Sequence, residues 1–359
     1  MNSRQRLEAI FAGDLVDRIP FSLKGWRIPQ CQAELELRNR GLAILDAHSV
    51  YAVHSPNVQV ESRTYAEGGV AYTRTLIRTP AGDLTTLSRG GTGVSRTEST
   101  SWRAEMMFKG PDDYRAIEAM YADRVYEPAY AGFCRAEQQV GEVAYFKTGA
   151  PGCPLHDIIY GIMGIDAFAV EWAERRDAVL HLHDVIARTQ RPIYEIVARG
   201  PARVVQCGGN YSPQVLGKER FVQYVLPHWE EVGAVLHAGG KLLGCHLDAD
   251  NALWADEIAA APLDWIEAFT PAPDTDMTLA QARQAWPGKT LYINFPSSVH
   301  LAGADEIAAT TRQLVRESAP GDRFIVGITE NVPEHRWRES FRVIMDTLDE
   351  CGRLPVSAV

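Results

Sequence analysis

The second half of the chain alternates short apolar strands with amphipathic helices, and this alternation limits the fold more than any other feature. Helical patterns such as residues 218–240 repeat aromatic and aliphatic residues every three or four positions and end in a glycine pair. Repeated strand–helix units predict parallel strands covered by helices. The predicted strands after residue 140 are "EVAYFKTG" (142–149), "ARVVQCGG" (202–209), "KLLGCHLD" (241–248), "DWIEAF" (264–269), "TLYINF" (290–295) and "RFIVGI" (323–328).

Two N-terminal strands complete a set of about eight, which predicts an α/β fold of the (β/α)8 or TIM-barrel type. One of them is "DRIPFSLKG" (17–25), and the other is one more strand in the N-terminal part of the chain. An open doubly wound sheet is the alternative, but no GxGxxG motif follows any strand. We therefore expect residues 1–359 to form a single barrel domain.

Residues 50–110 have a different character. They are rich in Thr, Gly and Arg, with alternating strand patterns and turn signals, and the helical segment "GPDDYRAIEAMYA" follows. This composition predicts an inserted antiparallel β segment near the N-terminus. The segment could serve as a lid or as the dimerisation arm of a homodimer, and the sequence does not choose between them.

Composition excludes some classes of function. Of the 359 residues, 46% are hydrophobic and 23% are charged, and the formal net charge is −10 without any basic block, which argues against nucleic-acid binding. No apolar run is long enough to span a membrane. The six cysteines are scattered and form no CxxC pair, so we expect reduced thiols in a cytoplasmic protein.

Polar side chains end most of the predicted strands. Catalytic groups in barrels of this kind come from the carboxyl ends of the strands, so these side chains should gather around one pocket. A histidine and several carboxylates at the same end can coordinate a divalent cation and leave a position open. The residues at these ends are Lys24, Trp26, Lys147, Cys207, Asn210, Tyr211, His246, Asp248, Glu267, Asn294, Glu330 and Asn331.

The stretch "KLLGCHLDADN" shows how strand alternation separates neighbouring groups. His246 and Asp248 are two positions apart and face one side, whereas Cys245 faces the other and is better interpreted as a small buried hydrophobe than as a ligand. A histidine at a strand end can also be purely structural and form hydrogen bonds without binding a metal. Asp248 and Glu330 favour a site, because a buried carboxylate needs a partner.

Further polar residues near these strand ends have other interpretations. Glu267 could belong to the site, cap a helix or pair with an arginine. His156 lies in the proline-rich loop "PGCPLHD", where a structural role is favoured over a place near the site. Asn210, in the glycine-rich loop "GGNYSP" directly after a strand, is expected with its neighbour Tyr211 to contact substrate.

The order and spacing of several segments resemble the uroporphyrinogen decarboxylase superfamily, and more closely its cobalamin-dependent methyltransferase branch. The likeness covers nearly the whole chain, and no single motif decides it. The segments that carry it are "SRQRLEAIFAGDLVDRIPF", "TPAGDLTT" with "FKGPDDYRAIEAMYAD", "YSPQVLGKERFVQYVLPHWEEVGAVLHAGGKLLGCHLDADN" and "DRFIVGITENVP".

The sequence departs from this family at two places. "FSLKGWRIPQ" stands where the decarboxylases carry an Arg- and Gly-rich substrate motif, which argues against tetrapyrrole decarboxylation. The branch that methylates thiols holds zinc through His-x-Cys and a distal Cys, whereas here Asp248 and Glu330 stand at the two Cys positions. Carboxylates make the metal a harder Lewis acid, which suits activation of an ether or hydroxyl oxygen.

The resemblance therefore implies a methyltransferase of the O-demethylase type. It would demethylate a methoxylated small molecule and pass the methyl group to cobalamin on a separate corrinoid protein, since the chain has no D-x-H-x-x-G corrinoid signature. Zinc or another divalent metal would be bound by His246, Asp248 and Glu330, with Glu267 as a possible fourth ligand. Glu267 and Lys147 are the predicted catalytic residues, and the predicted substrate contacts are Trp26, Asn210, Tyr211 and Asn294.

Two other functions remain open at this stage. One is a metal-assisted decarboxylase or lyase that acts on a small organic acid gripped by Lys147 or Lys24. The other is a non-catalytic subunit that binds a corrinoid or metabolite and has lost its metal site.

Overall fold

Eight parallel strands close into a barrel in the computed structural model, which describes residues 1–90 and 101–357. Each strand pairs with the next along the chain, and the last pairs with the first. The predicted (β/α)8 fold is confirmed. The barrel strands are β1 (Phe21–Leu23), β2 (Ala43–Ala47), β3 (Ala144–Ala150), β4 (Val204–Cys207), β5 (Leu242–His246), β6 (Trp265–Phe269), β7 (Thr290–Asn294) and β8 (Phe324–Ile328).

Helices cover the outside of the barrel, because most of these strands are apolar on both faces and must be buried on both. The predicted helix over 218–240 is interrupted by a π-helical turn at Phe221–Val225, and a second such turn spans Asp157–Met163. The α-helices are Ser3–Ala12, Gln32–Asn39, Tyr114–Ala122, Tyr130–Val140, Pro154–His156, Ile165–Glu174, Arg176–Arg199, Pro213–Arg220, Leu226–Ala238, Ala255–Ala260, Leu279–Ala285, Ala304–Glu317 and Trp337–Cys351.

The N-terminal helix closes the amino end of the barrel. Asn2 begins it with a capping box, in which its side chain accepts from the backbone of Gln5 at 2.8 Å. Phe11 then packs against Tyr145 and Trp265 of the barrel interior, with ring centroids 5.9 and 5.4 Å apart. Apolar side chains thus fill the lower barrel, and polar groups are left for the opposite end.

The inserted segment lies between β2 and β3 and is antiparallel, as predicted. It contains a four-stranded sheet and a separate strand pair. One strand of the pair, Tyr51–His54, comes before the sheet in the chain, and its partner, Val125–Pro128, comes after it. The sheet strands are Gln59–Glu67, Val70–Thr79, Gly82–Arg89 and Trp102–Glu105. Residues 91–100 of the predicted range 50–110 lie outside the described residues. Among the described residues, no helix has the length and apolar character needed to cross a membrane.

Candidate metal centre

Three potential metal ligands meet at the mouth of the barrel, meaning the end where the strands finish. One ligand atom from each of His246, Asp248 and Glu330 lies within 4.8 Å of the other two, and all three residues are half-buried. Tetrahedral ligands at about 2.1 Å from an ion are roughly 3.4 Å from one another, so small side-chain rotations would bring the three ligand atoms to the distances that an ion requires. The strand ends therefore bring together the three residues that the resemblance implies as ligands.

His246 is held by carboxylates at both ring nitrogens. Its Nδ1 contacts Oε2 of the buried Glu267, and its Nε2 lies 3.1 Å from Oδ2 of Asp248. Burial alone would lower the pKa of His246, but the negative charge of Glu267 and hydrogen bonds to both carboxylates raise it to about 10. A carboxylate on Nδ1 fixes the ring and leaves Nε2 facing the other ligands, as in metal-bound histidines.

Glu267 is the centre of a buried polar network beneath His246. Its Oε1 lies 3.1 Å from Nζ of Lys24 and 3.2 Å from Nζ of Lys147, and its Oε2 accepts from Nε2 of Gln206 at 2.9 Å. Burial would raise the pKa of Glu267, but the positive charges of Lys147 and His246 hold it well below its usual value. Glu267 is thus ionised and fully buried, and it holds His246 in place through Nδ1.

A large aromatic side chain separates this network from the apolar core below. Gly244 precedes His246 by two positions, and a Cβ atom there would lie 2.3 Å from the indole of Trp265. Glycine at 244 therefore lets Trp265 fill the barrel interior, where its Nε1 donates to the carbonyl of Val205 at 3.2 Å. The indole also lies beneath Lys147, whose Nζ is 5.2 Å from its centroid.

The strand that carries Glu267 is irregular at this point. Its pairing with β7 shifts register between Glu267 and Phe269, and the intervening Ala268 has φ of 64°, a left-handed conformation that costs a non-glycine residue energy. Bulges and strained residues of this kind are concentrated next to functional sites, where they redirect a side chain. The irregularity favours a functional role for Glu267.

Glu330 reaches the mouth from the loop after β8, and Asn294 at the end of β7 holds that loop. Oδ1 of Asn294 accepts from the backbone N–H groups of Thr329 and Glu330 at 2.9 and 3.3 Å. Burial and the nearby negative charge of Asp248 raise the pKa of Glu330. A bound cation would relieve this repulsion between carboxylates.

Four of the predicted site residues are buried, and their side chains contact other groups of the protein. Both oxygens of Glu267, predicted as catalytic and as a possible fourth ligand, already contact other side chains, among them His246. Lys147, also predicted as catalytic, is bound to Glu267 and Gln206, with 1% of its surface exposed. Asn294 is 1% exposed and serves the backbone of the β8 loop, not a substrate. Tyr211 is 2% exposed and packs against Trp229, with ring centroids 5.6 Å apart.

Two predicted substrate contacts are exposed to solvent, and Cys245 is buried on the outer side of the barrel wall, as strand alternation predicted. Trp26 is 45% exposed beneath the guanidinium of Arg27, and Asn210 is exposed, with its backbone N–H donating to Nε2 of His156 at 2.8 Å. Both stay candidates for substrate contact. Cys245 is fully buried in the apolar layer outside the barrel wall, where burial raises the pKa of its thiol well above the usual value.

Sequence reasoning missed Gln206 and Asp46. Gln206 shares the inward face of β4 with Val204, whereas Cys207, the polar residue predicted at this strand end, faces outward. A polar residue inside an otherwise apolar strand was the signal that could have identified it. Asp46 accepts from the backbone N–H of Gly25 at 3.0 Å and thereby holds the turn after β1.

Comparisons with known proteins support the fold. The chain matches a solved structure described as a methyltransferase from Methanosarcina mazei, with a TM-score of 0.58 and 11% sequence identity over 98% of this chain and 99% of that one. Two other solved structures match too weakly for any inference. One is a nitroalkane oxidase from Streptomyces ansochromogenes, with a TM-score of 0.29 and 14% identity over 56% of this chain and 53% of that one. The other is a GH18 chitinase, ChiB, from Flavobacterium johnsoniae, with a TM-score of 0.36 and 10% identity over 64% of this chain and 82% of that one. No protein-family model and no curated protein matches the chain.

Proposed function

We propose that this protein is a metal-dependent methyltransferase that removes the methyl group of a methoxylated small molecule and passes it to a corrinoid protein. The observation that carries the proposal is the grouping of His246, Asp248 and Glu330 at the barrel mouth. The full-length likeness to a structure described as a methyltransferase supports the class of reaction.

The residues present fit a divalent cation. One imidazole and two carboxylates form a harder donor set than thiolates, and zinc, manganese or another divalent ion suits it. Bound there, the ion would act as a Lewis acid that polarises the ether oxygen of the substrate and so improves the leaving group.

The surrounding side chains supply order and charge balance. Glu267 holds Nδ1 of His246, so that Nε2 faces the other two ligands. Lys24 and Lys147 neutralise Glu267 and keep it from adding negative charge to the centre. Asn294 fixes the backbone beside Glu330, and Trp265 keeps the space beneath the network apolar. Glu267 and Asn294 thus contact ligand residues directly, and Lys24 and Lys147 act on the ligands only through Glu267.

The methyl acceptor would be the reduced corrinoid of a separate protein. Bound to its own protein, that corrinoid would supply the electron pair that takes the methyl group from oxygen, and the leaving oxygen would take up a proton. The exposed Trp26 and Asn210 are the residues we expect the substrate to contact at the mouth. The decarboxylase alternative loses support, because Lys24 and Lys147 are both paired with Glu267 and not available to grip a carboxylate.

An anaerobic methyl-transfer assay tests this proposal. Protein loaded with zinc or manganese would be mixed with chemically reduced cobalamin and a panel of methoxylated aromatic and aliphatic compounds, and methylcobalamin would be followed by its absorption spectrum. We expect methylation with at least one member of the panel, and loss of the activity after chelation and in His246→Ala. Activity that survives chelation would contradict the metal's role, and metal-loaded protein inactive on the whole panel would contradict O-demethylation.

A further inference from the structure

A cleft of about 640 Å³, separate from the barrel mouth, lies between the inserted strand pair and the helix Arg176–Arg199. It shares no lining residue with the candidate metal centre. Much of its wall is apolar or aromatic, including Tyr51, Ile77 and Met120. Ile77 and Met120 are themselves packed into the main hydrophobic core, so this part of the wall is preformed. Concave, mostly apolar clefts with a few polar groups are typical of small-molecule sites.

A buried glutamine in the wall of this cleft carries an unpaired hydrogen-bond acceptor. Gln190 lines the cleft and is 3% exposed, and its Nε2 donates to Oδ2 of Asp157 at 3.2 Å. Its Oε1 is buried and has no hydrogen-bond partner among the residues that the structure describes. Rotating the amide would put its carbonyl oxygen against the carboxylate of Asp157, so the orientation is fixed. A buried acceptor of this kind calls for a donor.

Asp157 adds negative charge at the same end of the cleft. It lines the cleft and is 35% exposed, and its Oδ1 lies 3.7 Å from Nδ1 of His156. The carboxylate has lone pairs left beyond the one that Gln190 uses. It also begins the π-helical turn Asp157–Met163, a form of helix that occurs frequently at functional sites. The other charged residue of the lining, Arg124, lies 3.9 Å from the ring centroid of Tyr121 and is stacked on it.

We propose that this cleft binds a small organic molecule with a protonated amine attached to an apolar body. The ammonium would donate to Oε1 of Gln190 and to the carboxylate of Asp157, and the apolar body would lie against Tyr51, Ile77 and Met120. An ammonium satisfies an acceptor and a carboxylate at once, which neither an alcohol nor a carboxylate ligand does. The site is independent of the proposed function, because it uses none of the metal ligands.

Calorimetric titration of metal-depleted protein with benzylamine tests the proposal, with benzyl alcohol and benzoate as matched probes. Metal depletion prevents the amine from binding an ion at the barrel mouth. We expect saturable binding of benzylamine in about the millimolar range that a ligand of this size reaches. Gln190→Met and Asp157→Asn should each weaken it about tenfold or more, because each removes a charge-assisted contact. Glu195→Gln, on an exposed position of the same helix, is the control and should bind like wild type.

The proposal would be overturned if the wild type showed no saturable binding, or if both cleft variants bound benzylamine as tightly as the wild type. Tighter binding of benzoate than of benzylamine would also overturn it. Circular dichroism shows whether each variant is folded. If Gln190→Met does not fold, Asp157→Asn decides the matter, because its side chain is partly exposed and the substitution keeps its shape.

Discussion

Replacing Glu267 by glutamine should weaken both the fold and metal binding while keeping the shape of the side chain. The substitution removes the negative charge that faces Lys24, Lys147 and His246 inside the barrel. Removing one partner of a buried ion pair costs about 3–5 kcal/mol, because the remaining charge is left uncompensated. With an unfolding entropy of about 2.1 cal/mol/K per residue, this cost lowers the melting temperature by about 4–7 °C.

The same substitution should lower metal affinity about 10- to 100-fold, since the carboxylate no longer orients the histidine ligand. Differential scanning calorimetry and metal titration measure the two effects separately. Glu231→Gln is the matched control, because it breaks an exposed pair with Arg191 and should shift melting by no more than about 1 °C. Adding Lys147→Met to Glu267→Gln should recover part of the lost stability. A Glu267→Gln protein with wild-type melting and wild-type metal affinity would refute this reasoning.

Three further predictions concern the ligands and their supports. Metal binding at pH 8 should release at least one proton per ion, because the pKa of His246 is raised to about 10 in the metal-free protein and a histidine ligand must be neutral. Metal affinity should therefore rise with pH up to about 10. Calorimetry in buffers of different ionisation enthalpy measures the proton release. Asn294→Ala should cost about 1–3 kcal/mol in chemical denaturation and also weaken metal binding, because it removes the acceptor for two backbone N–H groups beside Glu330. Cys245→Ala should retain full metal content by elemental analysis, since the thiol is buried in the apolar layer outside the barrel wall, and a loss of metal would place sulfur among the ligands.

The fold was predictable because strand and helix periodicities are local properties of the sequence. Each predicted strand after residue 140 lies within two residues of an observed one. That His246, Asp248 and Glu330 lie close together was also predictable, since His246 ends β5, Asp248 and Glu330 follow β5 and β8, and the carboxyl ends of parallel strands meet at one end of a barrel.

The roles of the supporting residues could not be predicted, because they depend on which side chains meet across the barrel. The register of β5 and β6 sets His246 beside Glu267, and no local pattern reveals that Lys24 and Lys147 converge on the same carboxylate. The same is true of Asn294, whose partners are backbone groups 35 and 36 positions away. The bulge at Ala268 has no glycine or proline to indicate it.

The most direct test of the account is the metal content of wild-type protein expressed with added zinc or manganese, beside His246→Ala and Glu330→Ala. Elemental analysis after gel filtration should give about one divalent ion per chain for the wild type, with most of it lost in both variants, because two ligands hold an ion far more weakly than three. Wild-type protein without metal, or full stoichiometry in both variants, would contradict the assignment of His246, Asp248 and Glu330 as a metal centre.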